Sequence, residues 1–222
     1  MATDFEREPL ALVVEDDPMR TFAPRNGNRA APAIGDPAPL GLAALGLTLL
    51  VFSMFATALL AASGEPVVLG MALAYGGIAQ LLAGMWELRR GNGFGGLTFA
   101  SFGGFWISYW LIQQFFLADI PSGERGSAMG LFFIAWAIFT ALLWVASLRT
   151  TAVVSVMLLA LTVAFLLVGI GDAGAHAELA KIGGWFGLVA AAGALYGAFA
   201  GAINGTWART VLPLVPLRRA AG

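Results

Sequence analysis

Thr150-Thr151-Ala152-Val153-Val154-Ser155-Val156-Met157-Leu158-Leu159-Ala160-Leu161-Thr162-Val163-Ala164-Phe165-Leu166-Leu167-Val168-Gly169-Ile170-Gly171 contains no charged side chain and is closed by Arg149 and Asp172. A helix that crosses a bilayer needs about 20 predominantly apolar residues. Five further stretches of about that length lie near 38–61, 66–88, 95–117, 127–148 and 181–203. The expected fold is therefore all-α, an integral membrane bundle of six transmembrane helices. Turn and charge signals separate the stretches. They are Ser63-Gly64-Glu65-Pro66, Arg89-Arg90-Gly91-Asn92-Gly93, Asp119 through Arg125, Arg149-Thr150, and Asp172 through Lys181. Connections this short make successive helices antiparallel neighbours.

Composition agrees. Of 222 residues, 59% are hydrophobic and 11% charged, whereas soluble domains carry about 25% charged residues. So few charges leave lipid as part of the solvent. The 29 glycines fit close approach between spanning helices. With no cysteine, disulfides, thiol catalysis and cysteine metal sites are excluded. The net charge of −1 gives no whole-chain case for binding nucleic acid. Lipids are the expected surroundings. No cofactor or metal is expected, because the single histidine, His176, sits in a loop beside Glu178.

Lys and Arg set the orientation. Arg7, Arg20, Arg25, Arg29, Arg89, Arg90, Arg149, Arg209, Arg218 and Arg219 fall on one side of a six-span arrangement, and only Arg125 and Lys181 on the other. Both termini are expected in the cytoplasm, with the protein multi-pass in the plasma membrane (the inner membrane of a Gram-negative cell). Residues 1–34 are polar and proline-containing, and are expected to be a flexible cytosolic tail. The membrane domain then spans 35–213, and 214–222 form a second short tail. A Trp followed by an Arg closes spans two, four and six, as an interfacial aromatic belt would.

Few polar groups lie at depth. Gln80 sits mid-span, where an amide is costly unless it pairs or faces water. It is either a helix–helix hydrogen bond or a pathway group, and the same two readings apply to Ser101, Thr162 and Asn204. Glu87 is either paired with Arg90 or Arg89 at the helix end, or a proton acceptor at a pathway mouth. Span three carries an aromatic stripe at helical spacing, Phe99, Phe102 and Phe105, beside Trp106. An apolar constriction can gate by dewetting. Asp36-Pro37-Ala38-Pro39-Leu40-Gly41-Leu42 is a helix start, with Asp36 as N-cap and Pro37 at the first helical position. Pro39 falls in the first turn, where a missing N–H costs little.

That heptapeptide resembles the Asn-Pro-Ala-Pro-Leu-Gly-Leu hallmark of the acetate uptake transporter family, which has bacterial succinate–acetate permeases and fungal acetate transporters. Further similar motifs are Tyr75-Gly76-Gly77-Ile78-Ala79-Gln80, Ala83-Gly84-Met85-Trp86-Glu87, Arg90-Gly91-Asn92, Ser101-Phe102-Gly103-Gly104-Phe105-Trp106 and Arg209-Thr210-Val211-Leu212-Pro213. The resemblance covers roughly residues 35–213. It implies a homohexamer with one pathway per protomer for acetate or another small carboxylate, coupled to protons. It also implies an apolar constriction at Leu45, Phe102 and Leu161, where the family's usual residues are an aromatic, a tyrosine and a leucine. Asp36 stands where the family has asparagine. Two rival functions share the composition: a passive channel for small neutral solutes or protonated acids, and a non-transporting membrane sensor or scaffold. Nothing resembles a catalytic constellation, so an enzyme is not expected.

Overall fold

The computed structural model describes residues 35–217, so the expected tail at 1–34 and residues 218–222 lie outside the described residues. Within them the chain forms α-helices α1 (Ala38–Ala56), α2 (Val67–Leu73), α3 (Gln80–Arg89), α4 (Gly93–Leu111), α5 (Arg125–Ser147), α6 (Ala152–Ala173) and α7 (Ala177–Thr206). A π-helical segment, Ala74–Ala79, joins α2 and α3 into one rod, and another, Ile112–Phe116, extends α4. Five rods are long and apolar enough to cross a membrane: 38–56, 62–89, 125–147, 152–173 and 177–206. The α4 rod is of similar length but is not among these five, being rich in glycine and carrying Trp106, Tyr109 and Trp110. It can tolerate this because one face is buried: Phe99, Phe102, Phe105, Trp106 and Tyr109 are at most 5% exposed.

Local sequence explains the helix ends. The α1 start differs by one residue from expectation: Pro37 occupies the N-cap position and the helix begins at Ala38. The Asp36 carboxylate still accepts the Ala38 N–H at 3.2 Å. The first rod stops at Ala56, short of 61, where Ala58 turns into the left-handed region at φ 58°. Asn92 caps α4 by accepting the Gly95 N–H, and Thr151 caps α6 by accepting that of Val154. The last rod begins at Ala177, earlier than the expected 181, with Lys181 donating to Glu178 across one turn at 2.6 Å.

The helices pack α5 on α6, α6 on α7, α7 on α1, and α3 on α4, with α1 also against the α2–α3 rod. Small residues set the spacing. A side-chain carbon on Gly103 would lie 2.7 Å from the Leu81 nitrogen, and one on Gly130 2.6 Å from the Gly169 carbonyl. On Gly184 it would lie 2.8 Å from the Thr57 nitrogen. The buried face of α7 is entirely Gly and Ala, from Gly183 to Ala200. The α4–α5 side is different: there large rings fill the gap. Phe105 stacks on Phe132 at 5.4 Å, and Phe102 lies 6.3 Å from Trp136.

The outer surface is apolar. Leu131, Ile138, Leu142 and Val145 share one face of α5 and are 57–69% exposed, which suits lipid or another apolar surface. Past α7, residues 215–217 lie against the α5–α6 turn: Ala152 donates to the Val215 carbonyl and Leu217 to that of Thr150. Part of the expected C-terminal tail is thus tied to the bundle.

Replacing Gly103 by Val should lower stability by about 1–3 kcal/mol, since the methyls must displace α3 backbone. Gly104→Ala, with nothing within 4 Å of the new carbon, is the neutral control. Thermal unfolding of the two variants in detergent, followed by helical circular dichroism, checks this. Equal midpoints would contradict close backbone packing of α3 on α4.

Candidate functional site

The interior site is built on the irregularity between α2 and α3. The π-helical turn shifts the rod's register just before Gln80. Such single π turns are common at functional positions. Gly76 leaves room for Thr48 of α1: a carbon added there would lie 2.8 Å from the Thr48 hydroxyl. Gln80 follows Gly76 by one turn on the same face. Gly103 packs against Leu81 and Gly77, which brings the 102–106 turn of α4 to the same level.

Gln80 and Thr48 are 0% exposed and Trp106 is 1% exposed. Both polar atoms of Gln80, the Thr48 hydroxyl, the Trp106 indole N–H and the Ser53 hydroxyl find no hydrogen-bond partner among the described residues. Native interiors pair nearly all buried polar groups, with protein or with water. Gln80, Thr48 and Trp106 each carry a buried hydrogen-bond donor without a partner, the group type that a carboxylate or carboxylic acid can engage. Leu45, Phe102 and Leu161 are 1%, 0% and 0% exposed and belong to one buried apolar cluster. Phe102 is enclosed by Trp136, Phe139 and Phe165.

The other expected positions are placed differently. Ser101 is half-buried beside Phe102. Thr162 donates to the Leu158 carbonyl of its own helix at 2.8 Å. Asn204 stands apart: its amide donates to the Leu212 carbonyl while its oxygen accepts from Val211 and Leu212. That engages the whole side chain in holding the C-terminal segment.

At one end of the bundle, Asp36 and Arg90 pair across 54 residues of sequence. Asp36 therefore meets a guanidinium directly at the α1 N-terminus. The expected pairing of Glu87 with Arg89 or Arg90 is not found. Arg90 turns to Asp36, and Glu87, fully buried, instead accepts from the Asn92 amide at 2.8 Å. Its second oxygen has no partner. In the same motif, Pro39 abuts Gly201 of α7, Gly41 faces the Phe99 ring, and Leu40 is 44% exposed.

At the opposite end a cavity of about 570 Å³ opens between α1, α4, α5, α6 and α7. Phe52 and Phe133 line it, with Glu65, Tyr109, Gln113, Asp172 and Lys181. Phe52 meets Trp106 and Tyr109 edge-on at 5.8 and 5.7 Å, so this vestibule adjoins the Trp106 level. Sequence reasoning missed Thr48, Ser53 and the vestibule. One signal was present: Thr48 follows Leu45 by three residues, on the same face of α1.

A family model described as the GPR1/FUN34/yaaH family matches residues 19–219. The chain is 34% identical over 184 residues to the succinate-acetate/proton symporter SatP of Escherichia coli strain K12, covering 82% of this chain and 95% of that protein. It is 37% identical over 194 residues to acetate permease A of Emericella nidulans, covering 81% of this chain and 65% of that one. It is 36% identical over 197 residues to ammonia transport outward protein 2 of Saccharomyces cerevisiae, covering 85% and 70%. Among solved structures, that of the bacterial acetate channel SatP superposes with a TM-score of 0.76 at 32% identity, covering 82% of this chain and 99% of that one. The resemblance noted from the ordered motifs is borne out.

Replacing Gln80 by Leu removes an unpaired buried amide, and stability should rise by about 1 kcal/mol. If Gln80 were a structural hydrogen-bond bridge, the same change would lower the unfolding midpoint in detergent.

Proposed function

The chain belongs to the GPR1/FUN34/yaaH family, and on that premise we propose that this multi-pass membrane protein conducts acetate and related short carboxylates. The observation that carries the reading is the unpartnered trio Gln80, Thr48 and Trp106 at the level of the Leu45–Phe102–Leu161 cluster. A polar donor set beside an apolar constriction suits a small solute with one polar and one apolar end. The carboxyl group would meet donors at the narrowest point while its methyl meets Phe102. Relatives named for acetate support this substrate class.

In this reading the solute enters the vestibule, passes Trp106 and Thr48, crosses the constriction at Gln80, and leaves beside Glu87. All six helical rods span the membrane, with α4 as the shielded inner one. The Arg90–Asp36 end faces the cytoplasm, as the basic residues require. The apolar outer faces meet lipid in the plasma membrane and other copies in a homohexamer. Transport, rather than catalysis, is the activity.

Proton linkage follows from charge. Moving a bare anion inward against a negative interior costs about 2.3 kcal/mol per 100 mV. A dry constriction adds the cost of stripping the anion's water. A co-transported proton removes both. Glu87 is a buried carboxylate that could carry one, with one oxygen held by Asn92 and the other unpartnered. A second reading, a passive channel for the protonated acid, is favoured by the uncharged trio, since no ionisable group stands at that depth. In that case acetic acid itself carries the proton.

Labelled acetate uptake into proteoliposomes tests the reading. Protein-dependent uptake should rise with an inward proton gradient and change several-fold in Phe102→Ala. Gln80→Leu should lose most uptake while gaining stability. Glu87→Gln separates the two routes: lost gradient dependence marks Glu87 as the carrier, and retained dependence marks the acid. Folded protein with no uptake above empty liposomes would defeat the acetate reading.

A further inference from the structure

The vestibule holds a feature that acetate conduction does not explain by itself. Its charged lining is acidic. Glu65, just before α2, and Asp172, in the last turn of α6, face one cavity from opposite parts of the bundle. Lys181 lines it too, but its ammonium donates to Glu178 at 2.6 Å, which matches its charge. The part of α1 at the cavity contributes only apolar side chains. From α4 come Gln113, which is neutral, and Tyr109. Tyr109 is 3% exposed and makes no hydrogen bond through its hydroxyl among the described residues, though it lines the cavity wall. Around the rim, His176 precedes α7, and Asp119, Glu124 and Arg125 lie before or at the start of α5. The Arg125 guanidinium is occupied by the carbonyls of Ala118 and Ile120.

A cavity of about 570 Å³ has room for on the order of twenty waters at ~30 Å³ each. A carboxylate ion therefore enters it hydrated and still charged. Two ionised carboxylates in a concave, low-dielectric mouth focus a field that repels it. The neutral acid feels no such barrier, and the free Tyr109 hydroxyl offers its carboxyl group a hydrogen-bond partner. We propose that Glu65 and Asp172 form a charge selector in the vestibule, which holds back the carboxylate anion and admits the protonated acid. This rests on the acetate reading above. It adds that the form of the substrate is chosen before the constriction is reached.

The sign is fixed. When both carboxylates are ionised the anion is repelled. On acidification they neutralise and the barrier falls, together with the charge on the substrate. The wild type should thus pass little acetate current at neutral pH. The double variant Glu65→Gln/Asp172→Asn keeps size and hydrogen bonding but removes both charges. It should raise electrogenic acetate flux at neutral pH by about tenfold at low salt and flatten the pH profile. The wild type supplies a test independent of folding in the variant: raising ionic strength should raise its anion flux, because salt screens the mouth. Both are read as acetate currents and uptake in proteoliposomes across a pH series. Acetate-conducting wild type with the same pH profile as the variant and no response to salt would overturn the selector alone. A wild type that conducts no acetate at any pH would overturn the selector and the acetate reading together.

Discussion

Direct backbone contact between helices is the constraint on which this bundle depends. In lipid, the hydrophobic effect does not press helices together, because the tails are as apolar as leucine. Association must come from packing and from the polar groups that packing protects. The α3–α4 contact through Gly103, the α5–α6 contact through Gly130 and Gly169, and the Gly/Ala face of α7 bring backbones close enough for dispersion to accumulate. Where the small residues stop, between α4 and α5, the gap is wide enough to hold a layer of aromatic rings. The vestibule opens beside that layer, and Phe102 belongs to it.

Close packing also makes the interior costly for polar groups, which gives Gln80, Thr48 and Trp106 their meaning. A sequence selected only for stability would place apolar side chains there, since each unpaired buried group costs on the order of 1–3 kcal/mol. The polar groups at the bundle's ends are satisfied by contrast. Asp36 meets Arg90, Asn92 bridges Glu87 and Gly95, and Asn204 grips the segment after α7. Gln80, Thr48 and Trp106, by contrast, remain unpartnered among the described residues. The outward faces are apolar, so the inner groups cannot be serving lipid.

The elements most legible in advance were those governed by local rules. Helix existence followed from hydropathy, and the Asn92 and Thr151 caps follow from side chains that reach a nearby N–H. The motifs at 36–42, 75–80 and 101–106 pointed to the family the comparisons show. Boundaries were less legible. The first rod stops at Ala56, and Ala58 beyond it adopts a positive φ that composition does not reveal. The last rod is longer than expected, Ala177–Thr206, and takes in the Glu178–Lys181 pair that the sequence signals place in the preceding loop. Of the two readings of Glu87, the pairing with Arg89 or Arg90 is the one the structure does not contain. Arg90 lies within one turn of it, yet the guanidinium reaches a carboxylate 54 residues away.

Sequence by itself determined that this chain is helical, belongs in a membrane and matches the GPR1/FUN34/yaaH family. Hydropathy and charge are sums over residues and need no knowledge of what touches what. Only the tertiary structure decided which polar side chains are engaged and which are free. Asn204 and Gln80 are both amides within apolar helices, and their sequences give no reason to separate them. One is held by the backbone of residues 211–212, and the other is buried without a hydrogen-bond partner among the described residues. The vestibule, too, exists only in three dimensions, because Glu65 and Asp172 share a cavity although more than a hundred residues separate them. A hydrogen bond is a relation between two positions in space, so its presence or absence waits on the fold.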